Sequence, residues 1–320
     1  GEFSKTLATT GQKYNLVGNP YPSNINLSTL YNDNTSNIES TVYFWDYTNN
    51  TVMNQVGGNY TTLYTTHNYA DINLPTTTGN KAPNGTKPPS NIVKVGQGFI
   101  VQAKTSNLNF KNSHRTENGI AVPFFGKNQS AEMNRYWLKM TTPANLFNTL
   151  AVVHLEGADQ GFNQYDSEII AETSDHIFSF ADDTKVSING RSVFQNTDAV
   201  KLGTSHFENG NYTISIDDKE GVFNNGQAIY LKDKQTGIIT NLQESAYTFV
   251  AQKGNTNNRF EIIYLPEATL AISETIKEKV VVYTEAEHFV VKSRSQNIHF
   301  VELYDMSGKL LTKKTEKTAE

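Results

Sequence analysis

The sequence contains no cysteine, which excludes disulfides, a thiolate nucleophile and Cys-ligated zinc. It has no apolar run near the roughly 20 residues that a membrane-spanning helix needs, so no membrane span is expected. Apart from KLLTKKTEK (309–317) it has no basic block, and its net charge is −5. Phosphate neutralisation needs a concentrated Lys/Arg face, so nucleic acid is not an expected partner. Charged residues make up only 18% of the chain, leaving Asn, Thr and Ser to form the polar surface. Several catalytic signatures are also missing: no Gly-x-Ser-x-Gly elbow, no His-Glu-x-x-His pair, and no helix after VGQGF (95–99) to make it a phosphate loop. The opening GEF reads as a cloning remnant, which places any export leader upstream.

What is present is a succession of short strand-like runs separated by Gly, Asn and Asp. TVYFWDY (41–47), VKVGQGFIVQA (93–103), RYWLKMT (135–141), TLAVVHLE (149–156), NYTISID (211–217), AYTFVA (246–251), RFEIIYL (259–265) and IHFVELYD (298–305) recur at the spacing of an all-β protein. In NYTISID, Tyr212, Ile214 and Ile216 alternate with Thr213, Ser215 and Asp217, the period of a half-buried strand. Only NINLSTLYN (24–32) reads as a helical turn, with Asn24 or Asn26 as its cap and Ile25, Leu27 and Leu30 inward. In NLVGNPYPSN (15–24), Pro20 and Pro22 stiffen the exit from an early strand, and Tyr21 reads as a plug packed on the first core. Lapses in apolar pattern near 124–134 and 265–275 divide the chain into 1–128, 129–267 and 268–320. The expected architecture is tandem antiparallel β-sandwiches, jelly-roll-like, followed by a smaller β module.

Three groupings could carry chemistry. Tyr43, Trp45 and Tyr47 on one strand would form a carbohydrate-binding row if exposed, or fill a core if buried. Asp159, Asp166 and Glu168 in one loop are the hard oxygen ligands that calcium favours, although their spacing is not that of an EF-hand; the other reading is a polar turn. No other cofactor is expected. His154 and Glu156, two apart, read as the solvated face of a strand. In the glycine-containing strand, Gly96 and Gly98 leave room for a bulky neighbour, with Trp45 the packing candidate.

YNLVGNPYPSNIN, VYFWDY and VKVGQGFIVQA, followed by LAVVHLEGADQGFNQYDSE and AYTFVAQKGNTNNRFEI, resemble in their order surface and secreted proteins of Bacteroidetes bacteria exported by the type IX secretion system. The last segment, HFVVKSRSQNIHFVELYDMSGKLLTKK, resembles the front part of the C-terminal sorting domain of such proteins. The resemblance implies an immunoglobulin-like fold there, a sorting-signal turn at Tyr304, Asp305, Gly308 and Lys309, the type IX machinery as partner, and a secreted or outer-surface location reached through the periplasm. The Asn-Pro start and final Gly-Tyr strand of such domains are missing, which implies a truncated or divergent version. The expected function is non-catalytic, spacer or adhesion modules plus a secretion signal; the alternative is a carbohydrate-binding, calcium-assisted module of a polysaccharide-degrading enzyme or adhesin.

Overall fold

Asn26 heads the one α-helix among the described residues, Leu27–Asn32, and its side-chain oxygen accepts from the Ser28 and Thr29 amides at 2.8 and 3.2 Å. This is the capping expected of Asn before an apolar pair, and it turns Leu27, Leu30 and Tyr31 into the core. The remainder is mostly β, 53% strand. The computed structural model describes residues 1–46, 54–56, 59–61, 69–117, 133–172, 174–265, 281–285, 288–292, 298–305 and 308–315. Chain contacts divide into two units, Gly1–Tyr264 and Leu265–Glu320.

The first unit holds two cores. A five-stranded antiparallel sheet runs in the spatial order Tyr14–Gly18, Gly98–Ala103, Ile38–Trp45, Tyr69–Asn73, Thr78–Asn80. Period-2 alternation sends Val17, Phe99, Val101, Val42, Phe44 and Ile72 into one core with the helix, Leu108, Phe110 and Tyr21. Tyr21 is buried as a plug, its hydroxyl donating to the Gly1 carbonyl at 2.9 Å. The run expected as one strand over 93–103 is two, Ile92–Val93 and Gly98–Ala103. The break is a turn in which Gly96 takes φ +74°, a conformation that costs side-chain-bearing residues. Gly98 has Leu16 as its near neighbour, 3.3 Å from where a Cβ would stand.

The second core lies inside a ten-strand sheet that curls into a nearly closed barrel. Its order is Ile239–Asn241, Tyr230–Asp233, Gly254–Ile263, Ala199–His206, His176–Ala181, Thr184–Arg191, Phe147–His154, Asn134–Thr141, Gly210–Glu220, Tyr247–Ala251, with Ser167–Glu168 added alongside Thr184–Arg191. The antiparallel expectation holds in this sheet except at one place, where Phe147–His154 runs parallel to Thr184–Arg191. Tyr136, Leu138, Leu150, Val152, Leu202, Tyr212, Phe249 and Phe260 fill the interior. Alternate residues of the same strands, Trp137, Ala151, Val153 and Ile188, form a smaller cluster on the outer side. Strands buried on both faces read as continuous apolar runs, which accounts for RYWLKM and TLAVVH.

Among the described residues, the second unit shows two hairpins, Val281–Glu285 with His288–Lys292 and Phe300–Tyr304 with Leu310–Thr315.

Candidate functional site

The two cores of the first unit meet across a buried polar seam. Register puts Ile100, Tyr43, Asp71 and Asn80 side by side on the five-stranded sheet, on the face away from its own core. Tyr43 donates to the Glu168 carbonyl at 2.9 Å, and the Thr41 and Ser167 hydroxyls are 2.9 Å apart. Asn73 donates to the Gln164 and Asp166 carbonyls at 2.9 and 3.1 Å. Asn80 and Thr149 exchange two bonds, 2.8 and 3.1 Å, and the Trp137 indole donates to the Gly79 carbonyl at 2.8 Å. At the rim, Lys81 pairs with Asp217 at 2.6 Å.

At the centre sits Asp71, whose carboxyl lies 2.9 Å from the Ser187 hydroxyl. Ser187 also lies 3.2 Å from the Ser167 carbonyl. One hydroxyl proton serves one acceptor well. With Asp71 protonated, its carboxyl donates to Ser187 and Ser187 donates to Ser167, so both contacts are satisfied. Burial pushes Asp71 up to about 7, against hydrogen bonds from Ser187 and Asn80 that lower it. A cavity of about 30 Å³ opens beside this pair, lined by Tyr43, Tyr69, Asp71, Lys81, His176 and Ser187. That is room for a water or two, too little for a sugar ring.

The barrel interior holds a second polar chain. His154, placed on the inward face by alternation with Leu150 and Val152, is buried, which corrects its reading as a solvated residue. Its Nδ1 lies 3.2 Å from the Ser192 carbonyl, which only accepts, so Nδ1 carries the proton and Nε2 accepts from the Tyr264 hydroxyl at 3.0 Å. Tyr136 lies 2.9 Å from that hydroxyl and supplies the next proton. Burial drives His154 down to about 4. The chain ends on a backbone carbonyl, so it positions Tyr264 and reaches no reactive group.

The structure disperses the predicted site residues. Tyr43 is buried in the seam and Trp45 is half exposed, so these two do not make one exposed row; Tyr47 lies outside the described residues. Asp159 accepts from the Gly161 amide and the Asn163 side chain at 2.8 and 3.0 Å. Asp166 accepts from the Asn163 and Gly190 amides, both at 2.9 Å, and burial raises it to about 6. Glu168 is exposed. Among the described residues no three acidic or His side chains converge to hold a metal; the loop's aspartates act as turn-forming acceptors. At the segment expected to carry the sorting signal, the Gly308 amide donates to the Asp305 carbonyl and the Lys309 amide to the Asp305 carboxylate, both at 3.0 Å, with Gly308 at φ +83°. Tyr304 is half exposed and donates to Glu302 at 2.7 Å. The seam itself, centred on Asp71 and Ser187, was not read from sequence; its signal was the unbroken apolar run of TLAVVH, which requires a cover on both faces.

No curated protein and no solved structure matches the chain. Residues 2–264 match the model of the family described as Domain of unknown function (DUF8693), a span that closes at Tyr264 where the first compact unit closes, and the chain belongs to that family.

Proposed function

We propose that the chain is a non-catalytic portion of a secreted or cell-surface protein, in which residues 1–264 act as a rigid spacer or adhesion module and 265–320 carry a type IX secretion signal. In this reading the two cores of the first unit derive from tandem jelly-roll-like sandwiches, and the two hairpins are the front of an immunoglobulin-like sorting domain recognised by the secretion machinery. The observation that carries it is the coincidence of boundaries: the family match and the compact unit both end at 264, leaving the hairpins as an appended, separable piece. The seam adds support, because its titratable groups are spent on internal hydrogen bonds. The test is a reporter fused ahead of the whole chain and expressed in a bacterium with type IX machinery. Reporter is expected in the medium or on the cell surface with the intact chain, and in the periplasm when 265–320 is deleted. Equal export without 265–320 overturns the proposal.

A further inference from the structure

Asn84, Asn118, Asn189, Asn209 and Asn225 each precede a glycine, and all but Asn118 lie among the described residues. Three of these pairs are held by hydrogen bonds. Inside Thr184–Arg191, the Asn189 amide group donates to the Ser179 hydroxyl and the Phe180 carbonyl, both at 3.0 Å, and the Gly190 backbone amide donates to the Asp166 carboxyl at 2.9 Å. The Asn84 side-chain oxygen accepts from the Phe147 amide at 2.6 Å, and the Gly85 amide donates to the Ala82 carbonyl at 2.8 Å. Both asparagines are buried. Asn209 is exposed, but its side-chain oxygen accepts from the Lys253 amide at 2.7 Å.

Asn225-Gly226 differs from all three. It lies in the turn between the short helix Gly221–Phe223 and the strand Tyr230–Asp233, and both residues are exposed. The Asn225 backbone amide donates to the Val222 carbonyl at 3.1 Å. Neither the Asn225 side chain nor the Gly226 amide has a partner among the described residues. Gly226 takes φ +99°, and the space where a Cβ would stand is empty. The attacking nitrogen is therefore unshielded, on a residue whose backbone rotates with little steric cost. That nitrogen can lose its proton to solvent and attack Asn225 Cγ. The new C–N bond closes a succinimide ring as the Cγ–Nδ2 bond breaks, and Nδ2 leaves as ammonia with a proton from solvent. Water then adds to a ring carbonyl. Opening at the Cγ–N bond gives aspartate, and opening at the original peptide bond gives isoaspartate. One water is consumed, one ammonia is released, and nothing is oxidised or reduced.

We infer that Asn225 is a self-modification site, where the folded chain converts its own side-chain amide to aspartate and isoaspartate with water as the only co-reactant. The selectivity comes from the fold, since the same dipeptide is locked at Asn84, Asn189 and Asn209. Aspartate adds a negative charge to the turn. Isoaspartate adds a methylene to the backbone path just ahead of Gln227, whose side chain donates to the Tyr264 carbonyl at 3.1 Å and whose carbonyl accepts from Gln243 at 2.6 Å. The mark therefore accumulates with the age of the molecule beside the residue that closes the first unit. This inference stands independently of the proposed export role.

The experiment ages the full chain in mildly alkaline buffer, follows each Asn-Gly peptide by mass spectrometry, and reads isoaspartate by enzymatic carboxyl methylation. In the folded chain Asn225 is expected to convert on the order of a hundredfold faster than Asn84 and Asn189, whose reaction waits for local opening. It should outpace Asn209 severalfold. In urea the four rates should draw together, because the fold no longer distinguishes them. Asn225→Gln, whose longer side chain must close a larger ring, should keep the circular dichroism spectrum and stay unconverted over the same period. Folded chain in which Asn225 converts no faster than Asn84 or Asn189 overturns the inference, as does a preference for Asn225 that persists undiminished in urea. Aspartate formed without isoaspartate overturns the ring route.

Discussion

Asp71 and Asp166 hold their protons to higher pH when folded, to about 7 and about 6. His154 and His206 do the reverse, each buried and held down to about 4. The signs therefore oppose. A carboxyl raised by folding stabilises more as pH falls from its folded toward its unfolded value, whereas a histidine lowered by folding destabilises as pH falls from its unfolded value near 6.5 toward 4. Between about pH 4 and 6 the two pairs offset one another, and stability should change little. Asp71→Asn removes the larger of the two carboxyl contributions and leaves that of Asp166, and its amide can donate to Ser187 as the protonated acid does. The variant is expected to melt higher than wild type at pH 8, by an amount on the order of a few kcal/mol, with the gap narrowing by half or more by pH 5 and closing only below about pH 4. Melting curves across that range check it; a variant less stable than wild type at pH 8 would show that Asp71 works as a carboxylate. Asp71 could not be assigned this part from sequence, since it shares a face with Tyr69 and Asn73 and alternates with Ala70 and Ile72, as an ordinary exposed strand residue would.

Among the elements, the barrel is completed by side chains where its backbone ladder stops. Asp233 on the strand next to one edge receives Arg259 through Nε at 3.1 Å and Nη2 at 2.8 Å, and Tyr247 of the opposite edge strand at 2.8 Å. Arg259 Nη1 also caps the Val250 carbonyl at 2.8 Å. Removing one charge strands the other: Asp233→Leu should cost about 3–5 kcal/mol in urea unfolding. Asp233→Leu combined with Arg259→Met should recover much of that loss; a double variant as unstable as the single one would refute the stranded-charge account. Local signals were legible here in the way elements usually are. The Asn26 cap and the alternation of NYTISID act within a few residues, and their sequence reading matches the structure. The closure did not announce itself, because Asp233, Tyr247 and Arg259 are brought together only by the curl of ten strands. His154 was misread for the same reason, since in a barrel the polar position of an alternating strand can point inward.

On the scale of the molecule, two runs of β structure, 1–128 and 129–267, were legible, and the structure holds two cores within the single compact unit Gly1–Tyr264. Their union was not, because it rests on Thr41, Tyr43, Asp71, Asn73 and Asn80 meeting partners about 70–125 positions away. A seam of so many buried hydrogen bonds leaves unsatisfied groups on both sides if opened. Residues 1–264 should therefore unfold in one transition, with Trp137 fluorescence and far-ultraviolet circular dichroism giving coincident curves; two separated midpoints would show that the cores come apart.

The seam also bears on how such a protein can be inherited. Two globular pieces joined by a flexible linker can be shuffled separately among genes, each folding in its new setting. A recombination break between residues 117 and 133 would instead deliver each half with a row of unmet donors and acceptors facing water where protein should be. Lineages carrying this pair of cores are expected to keep them together, exchanging the segment after Tyr264 freely while passing on everything before it as one indivisible block.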